Sequence, residues 1–194
     1  MRVSGEAASP KLVLRVSGLD KSYGQKRILS DVSFEMRGQQ RLLLAGRNGE
    51  GKTTLMKIIV GEVQPDSGEV RVGEGVQIGY FAQEHETLDK TKTVIEEFES
   101  TTRARGVKDA RRVLGSFLFT GDSVFSRVST LSLGERVRLV FANLTSQENQ
   151  LLILDEPTNH LDVQSREVIE VALQKFQGAI LAVSHDRYFI EKLG

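Results

Sequence analysis

Three stretches of this 194-residue chain are continuously apolar rather than alternating: Arg41-Leu42-Leu43-Leu44-Ala45, Leu151-Leu152-Ile153-Leu154 and Ala179-Ile180-Leu181-Ala182-Val183. Short runs with no polar face mark strands buried on both sides of a parallel sheet. Four further segments, Leu12 to Val16, Val32 to Met36, Val70 to Val72 and Ile78 to Phe81, read as strands bounded by glycine or polar turns. Between the buried runs the period lengthens to that of a helix. One helix starts at a glycine-rich turn and carries Leu55, Ile58 and Ile59, with Gly61 as its stop. A second covers about 132 to 144, with Leu133, Val137, Val140, Phe141 and Leu144 on one face. Ser132 and Glu135 supply an S-x-x-E capping box at its start. A third runs from about Gln164 to Phe176. This alternation predicts an α/β core. From about 84 to 130 the chain is polar, charged and helix-favouring, with Val94, Ile95 and Phe98 as an apolar stripe. With the helix that follows, it is expected to form a small helical subdomain at about 85–144.

Composition narrows this picture modestly. The length fits one domain, and 26 basic residues balance 26 acidic ones, so bulk charge indicates no polyanionic partner. The absence of cysteine excludes disulfides and thiolate zinc sites, and a reducing compartment fits. No apolar run approaches the roughly 20 residues a bilayer demands. The first residues lack the apolar region of a secretory signal, and 1–10 reads as a flexible tail.

The chemistry concentrates at Gly46-Arg47-Asn48-Gly49-Glu50-Gly51-Lys52-Thr53, which matches G-x-x-x-x-G-K-[ST] in full, after a buried strand and before an apolar-periodic helix. Its glycines let successive amides turn toward one centre, and the helix start adds its positive end. Lys52 is suited to the β and γ phosphates, Thr53 to Mg²⁺, and Thr54 continues the cradle. The strand Leu151 to Leu154 ends in Asp155 and Glu156. Asp155 can orient Mg²⁺, and Glu156 can act as general base on the attacking water. His185 follows the third buried run, and parallel strands bring their C-terminal ends to one edge, so it is expected beside Glu156.

Taken together, these motifs resemble the ATP-binding cassette (ABC) family from about Leu12 to Leu193. Leu131-Ser132-Leu133-Gly134-Glu135 is similar to its signature sequence, Leu161-Asp162 to its D-loop, and His185 to its switch histidine. Gln83 resembles the Q-loop glutamine, which contacts Mg²⁺ and the attacking water. Tyr23, just after the first strand, stands where the family places an aromatic ring against adenine. The resemblance implies a P-loop ATPase fold: a mostly parallel core sheet flanked by helices, an N-terminal antiparallel β part and a helical subdomain, in one ATPase domain at 11–194. It also implies ATP sandwiched between two such domains, the second on the same chain of the parent protein or supplied by a homodimer of this fragment, with Ser132 and Gly134 acting on the partner's nucleotide. A lone domain is then expected to bind ATP and hydrolyse it weakly. The family usually has glycine where this chain has Leu133, which either packs or weakens contact with ATP.

Glu156-Pro157-Thr158-Asn159-His160-Leu161-Asp162, Gly79-Tyr80-Phe81-Ala82-Gln83-Glu84 and Ser184-His185-Asp186-Arg187-Tyr188-Phe189 are similar to the ABC-F branch. That branch carries two ATPase domains on one chain, lacks membrane domains and acts on ribosomes in the cytoplasm, as translation factors or in antibiotic resistance. Leu114 to Phe119 and Glu135 to Leu139 look more like its second ATPase domain, since there is no room for the arm of the first. The resemblance thus implies a fragment truncated at its C-terminus, whose missing part lowers stability. The alternative is a transporter ATPase subunit, which needs an apolar groove after the Q-loop where this chain has Glu84-His85-Glu86-Thr87-Leu88-Asp89. Chromosome-maintenance ATPases are disfavoured by the lack of sustained heptads. A basic cluster, Arg103, Arg105, Lys108, Arg111 and Arg112, is either a solvated face or an RNA contact.

Overall fold

A computed structural model describes residues 11–46, 49–82, 88–102 and 106–193. The expected tail at 1–10 lies outside the described residues. The elements follow in the order β1 (Leu12–Tyr23), β2 (Lys26–Arg37), β3 (Arg41–Leu44), α1 (Lys52–Ile59), β4 (Ser67–Val72), β5 (Ile78–Phe81), α2 (Val94–Thr101), α3 (Val107–Ser116), α4 (Leu133–Ser146), β6 (Leu151–Asp155), α5 (Val163–Lys175), β7 (Ala179–Val183) and α6 (Arg187–Leu193). Two short 3₁₀ turns, Gly121–Phe125 and Val128–Thr130, join α3 to α4.

Two sheets result. The first is antiparallel, in the order β2-β1-β4, and the second is parallel, in the order β3-β7-β6-β5. The continuous apolar runs of β6 and β7 are buried at every position, because both strands are central and helices or the first sheet cover both faces. The third such run behaves differently. Among the described strands β3 pairs only with β7, and each of its residues is partly exposed. The first strands extend well past their apolar cores. β1 continues to Tyr23 through register shifts between Val16 and Lys21, where Gly18 turns left-handed and donates to the Ser33 hydroxyl at 2.8 Å.

The parallel sheet separates two apolar layers. On one face α1 buries Leu55, Met56, Ile58 and Ile59 against Leu151, Ile153, Leu181 and residues of β1. On the other, Leu152, Leu154, Ile180 and Ala182 meet α4, α5 and the helices of the 94–116 region. The stripe Val94, Ile95 and Phe98 is buried in that second layer, where Phe81 and Phe141 lie 4.8 Å apart between ring centres. The capping box of α4 forms as expected, and Thr93 with Glu96 builds a second one at the start of α2. No helix among the described residues is long and apolar enough to cross a membrane.

Candidate active site

Four features gather at the C-terminal edge of the parallel sheet. The loop from β3 enters α1 through Gly51, whose φ of 93° is left-handed. A Cβ there would meet Ile28 Cγ2 at 2.6 Å and the Ile28 carbonyl oxygen at 3.1 Å, so only glycine lets the turn press against β2. No side chain caps α1 and no acidic residue occupies its first turn. The amides at this helix start are thus offered to an anion from outside the helix. Lys52 donates from Nζ to the Gly46 carbonyl at 2.6 Å, holding its ammonium over the loop. Gly49, Glu50 and Thr54 complete the described part of this loop, while Arg47 and Asn48 lie outside the described residues.

Thr53 Oγ1 donates to Asp155 Oδ2 at 2.7 Å, joining α1 to the end of β6. Asp155 is 2% exposed, and a carboxylate so placed needs a partner. The next residue, Glu156, takes a left-handed backbone (φ 50°), and its amide donates to the Val183 carbonyl at 3.0 Å. This conformation, uncommon for a side-chain-bearing residue, turns Glu156 away from the strand line. Its Oε1 comes within 3.4 Å of His185 Nε2, contributed by the loop after β7. A pocket of about 350 Å³ opens here, lined by Lys52, Thr53 and Thr54 on one side and by Asp155, Glu156 and His185 on the other. Asn159 also lines it. A larger cavity of about 560 Å³ lies at the opposite end of the sheet, where Gln150 and Gly178 precede β6 and β7. It shares no residue with the phosphate loop.

Other expected residues are placed apart from this pocket. Ser132 caps α4: its amide and hydroxyl donate to Glu135 Oε2 at 2.8 and 2.7 Å, and its Oγ accepts from the Glu135 amide at 3.3 Å. The Ser132 hydroxyl and then its amide hold the Glu135 carboxyl below the ordinary glutamate range. Gly134 follows, and a Cβ on it would lie 2.7 Å from Asp162 Oδ2 and 2.9 Å from Ser165 Oγ. Leu133 is 41% exposed, so it is not sealed into the core of this chain. Tyr23 is the last residue of β1 rather than a residue beyond it. It is exposed, with Lys21 Nζ 5.5 Å from its ring. Gln83 and the segment 84–87 lie outside the described residues. Of the basic cluster, Lys108, Arg111 and Arg112 are exposed on α3, with Arg111 over the exposed Phe125 ring at 5.4 Å, and Arg103 and Arg105 lie outside the described residues.

Tyr80 was not singled out by sequence reasoning, although strand alternation puts it on the α1 face of β5, opposite Ile153. Its hydroxyl is buried without a hydrogen-bond partner. Burial, and then the charges of Asp155 and Glu62, push it up to about 12. Among the described residues no group of three or more His, Cys, Asp or Glu side chains gathers into a metal cluster. Mg²⁺ asks for less, since it keeps several waters and takes one or two protein ligands beside phosphate oxygens. The Thr53–Asp155 contact fits that demand.

Residues 29–159 match the family model described as ABC transporter. The chain is 44% identical over 182 residues to the ATP-binding protein YdiF of Bacillus subtilis, covering 93% of this chain and 28% of that protein. It is 40% identical over 197 residues to the ATP-binding protein Uup of Haemophilus influenzae, covering 98% of this chain and 30% of that protein. It is 37% identical over 195 residues to ABC transporter F family member 5 of Arabidopsis thaliana, covering 100% of this chain and 28% of that protein. The chain thus spans roughly a third or less of these relatives, which are ABC-F ATP-binding proteins. A solved structure titled "Structure of ATP binding subunit of ABC transporter" shares the fold, with a TM-score of 0.77 at 24% identity over 93% of this chain and 82% of that one.

Proposed function

The chain belongs to the ABC ATPase family, and from that premise we propose that it is the ATP-hydrolysing half-site of a cytoplasmic ABC-F protein that acts on the ribosome. The observation that carries the reading is the convergence of Lys52, Thr53, Asp155, Glu156 and His185 on one pocket at the sheet edge. The uncapped start of α1 and Lys52 bind the triphosphate. Thr53 and Asp155, already in contact, are the residues that would hold Mg²⁺, with Gln83 as the further expected ligand. When bound, the ion supplies positive charge to the phosphate oxygens. Glu156 accepts a proton from the water that attacks the γ-phosphorus, and the bond to the β-phosphate oxygen breaks to leave ADP and phosphate. His185, against Glu156, orients that carboxylate or the γ-phosphate.

Ser132 and Gly134 stand outside this pocket, which supports a role on a nucleotide held by a second ATPase domain. Translation control and antibiotic resistance both fit this reading. The test uses the full-length protein with Glu156→Gln, which blocks water activation while keeping shape. Co-sedimentation with ribosomes in ATP, absent in ADP, is the expected result. Absence of ATP-dependent pelleting would move the reading to a transporter ATPase subunit.

A further inference from the structure

His185 sits on a short loop, and its position depends on what holds that loop. Its neighbour Asp186 is engaged at both oxygens. Oδ1 accepts the amides of Tyr188 and Phe189 at 3.0 and 3.3 Å, starting α6. Oδ2 meets Arg166 Nη1 at 3.0 Å. Arg166 belongs to the first turn of α5, and its amide donates to the Asp162 carbonyl at 3.1 Å. Asp162 caps that helix through the Ser165 amide and hydroxyl, each at 2.8 Å. Those same two side chains are the ones that Gly134 approaches too closely to carry a Cβ. One helical turn therefore touches the loop of His185 on one side and the start of α4 on the other.

We propose that Arg166 is a positioning residue for hydrolysis: through Asp186 it fixes His185 against Glu156 and ties that histidine to the α5 start that abuts Gly134. A solvent-facing ion pair commonly adds little stability. Here Asp186 is largely covered and the guanidinium Nε is buried without a hydrogen-bond partner, so the pair is partly shielded from solvent. A second tie, Lys192 Nζ to Glu170 Oε2 at 2.8 Å, keeps α6 on α5 without Arg166. Loss of Arg166 should therefore release the histidine loop and leave the helix packing in place.

The inference rests on the proposed ATPase function, and the test separates the two. In the full-length protein, kcat, KM and ATP affinity are measured for Arg166→Met, Arg166→Lys, Asp186→Asn and the Met/Asn double variant. Asparagine retains the ability to start α6 while removing the charge. Because sub-ångström placement governs such chemistry, Arg166→Met should lower kcat between ten- and a hundred-fold with ATP affinity unchanged within about two-fold. Lysine should recover part of the loss, and the double variant should be no worse than the poorer single one. Wild-type kcat in Arg166→Met, with only the melting temperature altered, overturns the inference alone, as do losses that multiply in the double variant. A wild-type protein with no ATPase activity overturns the functional reading and this inference with it.

Discussion

Gly134→Ala sets two known effects against each other. Gly134 is the second residue of α4, where alanine gains up to about 1 kcal/mol over glycine by helix propensity. The new methyl, however, would sit 2.7 Å from Asp162 Oδ2 and 2.9 Å from Ser165 Oγ. Both atoms belong to the same 2.8 Å hydrogen bond, so moving either strains it, and Asp162 Oδ2 moves only together with the Oδ1 that caps α5. An N-cap is worth about 1 kcal/mol, with a span of roughly 0.5–2. The two effects nearly cancel, and urea unfolding of Gly134→Ala should lie within about 1 kcal/mol of the parent chain. The cancellation disappears when the cap is removed first. In an Asp162→Ala, Ser165→Ala background, Gly134→Ala should stabilise by up to about 1 kcal/mol, giving a coupling of up to about 1 kcal/mol between the sites. Additivity within about 0.3 kcal/mol would show that α4 does not press on the start of α5, and the reasoning would fail.

Gly51→Ala places a side chain at φ 93° against Ile28. It should cost about 2–4 kcal/mol, lowering the melting temperature by about 5–15 °C and abolishing ATP binding in a nucleotide titration. The Glu135 carboxyl is held below its ordinary range by Ser132, so its contribution is complete above the unfolded value and is lost as pH falls through the lower folded one. Melting temperature should therefore decline below about pH 4, and the decline should be shallower in Glu135→Gln, which keeps the capping box without the titration. On α3, reversing Lys108, Arg111 and Arg112 to glutamate in the full-length protein should weaken ribosome binding and flatten its salt dependence; an unchanged salt slope would leave this face as solvated surface.

How much could be read in advance follows from which interactions are local. The runs that became β6 and β7 were legible because burial on both faces leaves no polar position. The start of α4 was legible because the bonds between Ser132 and Glu135 join residues three apart in sequence. β3 shares the same apolar pattern, yet it lies at an edge among the described strands, and pattern alone does not report the number of neighbours. The second half of β1 was hidden because Gly18, Asp20 and Lys21 break the alternation, while its pairing with β2 and β4 is long-range. Within the site, Lys52, Thr53, Asp155, Glu156 and His185 were identifiable from their motifs, and strand order explains why they meet. Arg166 carried no motif, and Tyr80 stood within the 79–84 stretch with no role of its own. Their significance comes from partners or charges distant in sequence, Asp186 for one and Asp155 for the other.

The central claim is that the amides at the start of α1 close on a triphosphate with Lys52 above them. Isothermal titration calorimetry of ATP with magnesium into this chain addresses it directly. Saturable one-to-one binding is predicted, weakened about ten- to a hundred-fold in Lys52→Ala by loss of a charged donor. A folded sample that gives no saturable heat, or a Lys52→Ala variant that binds as tightly as the parent chain, would contradict it.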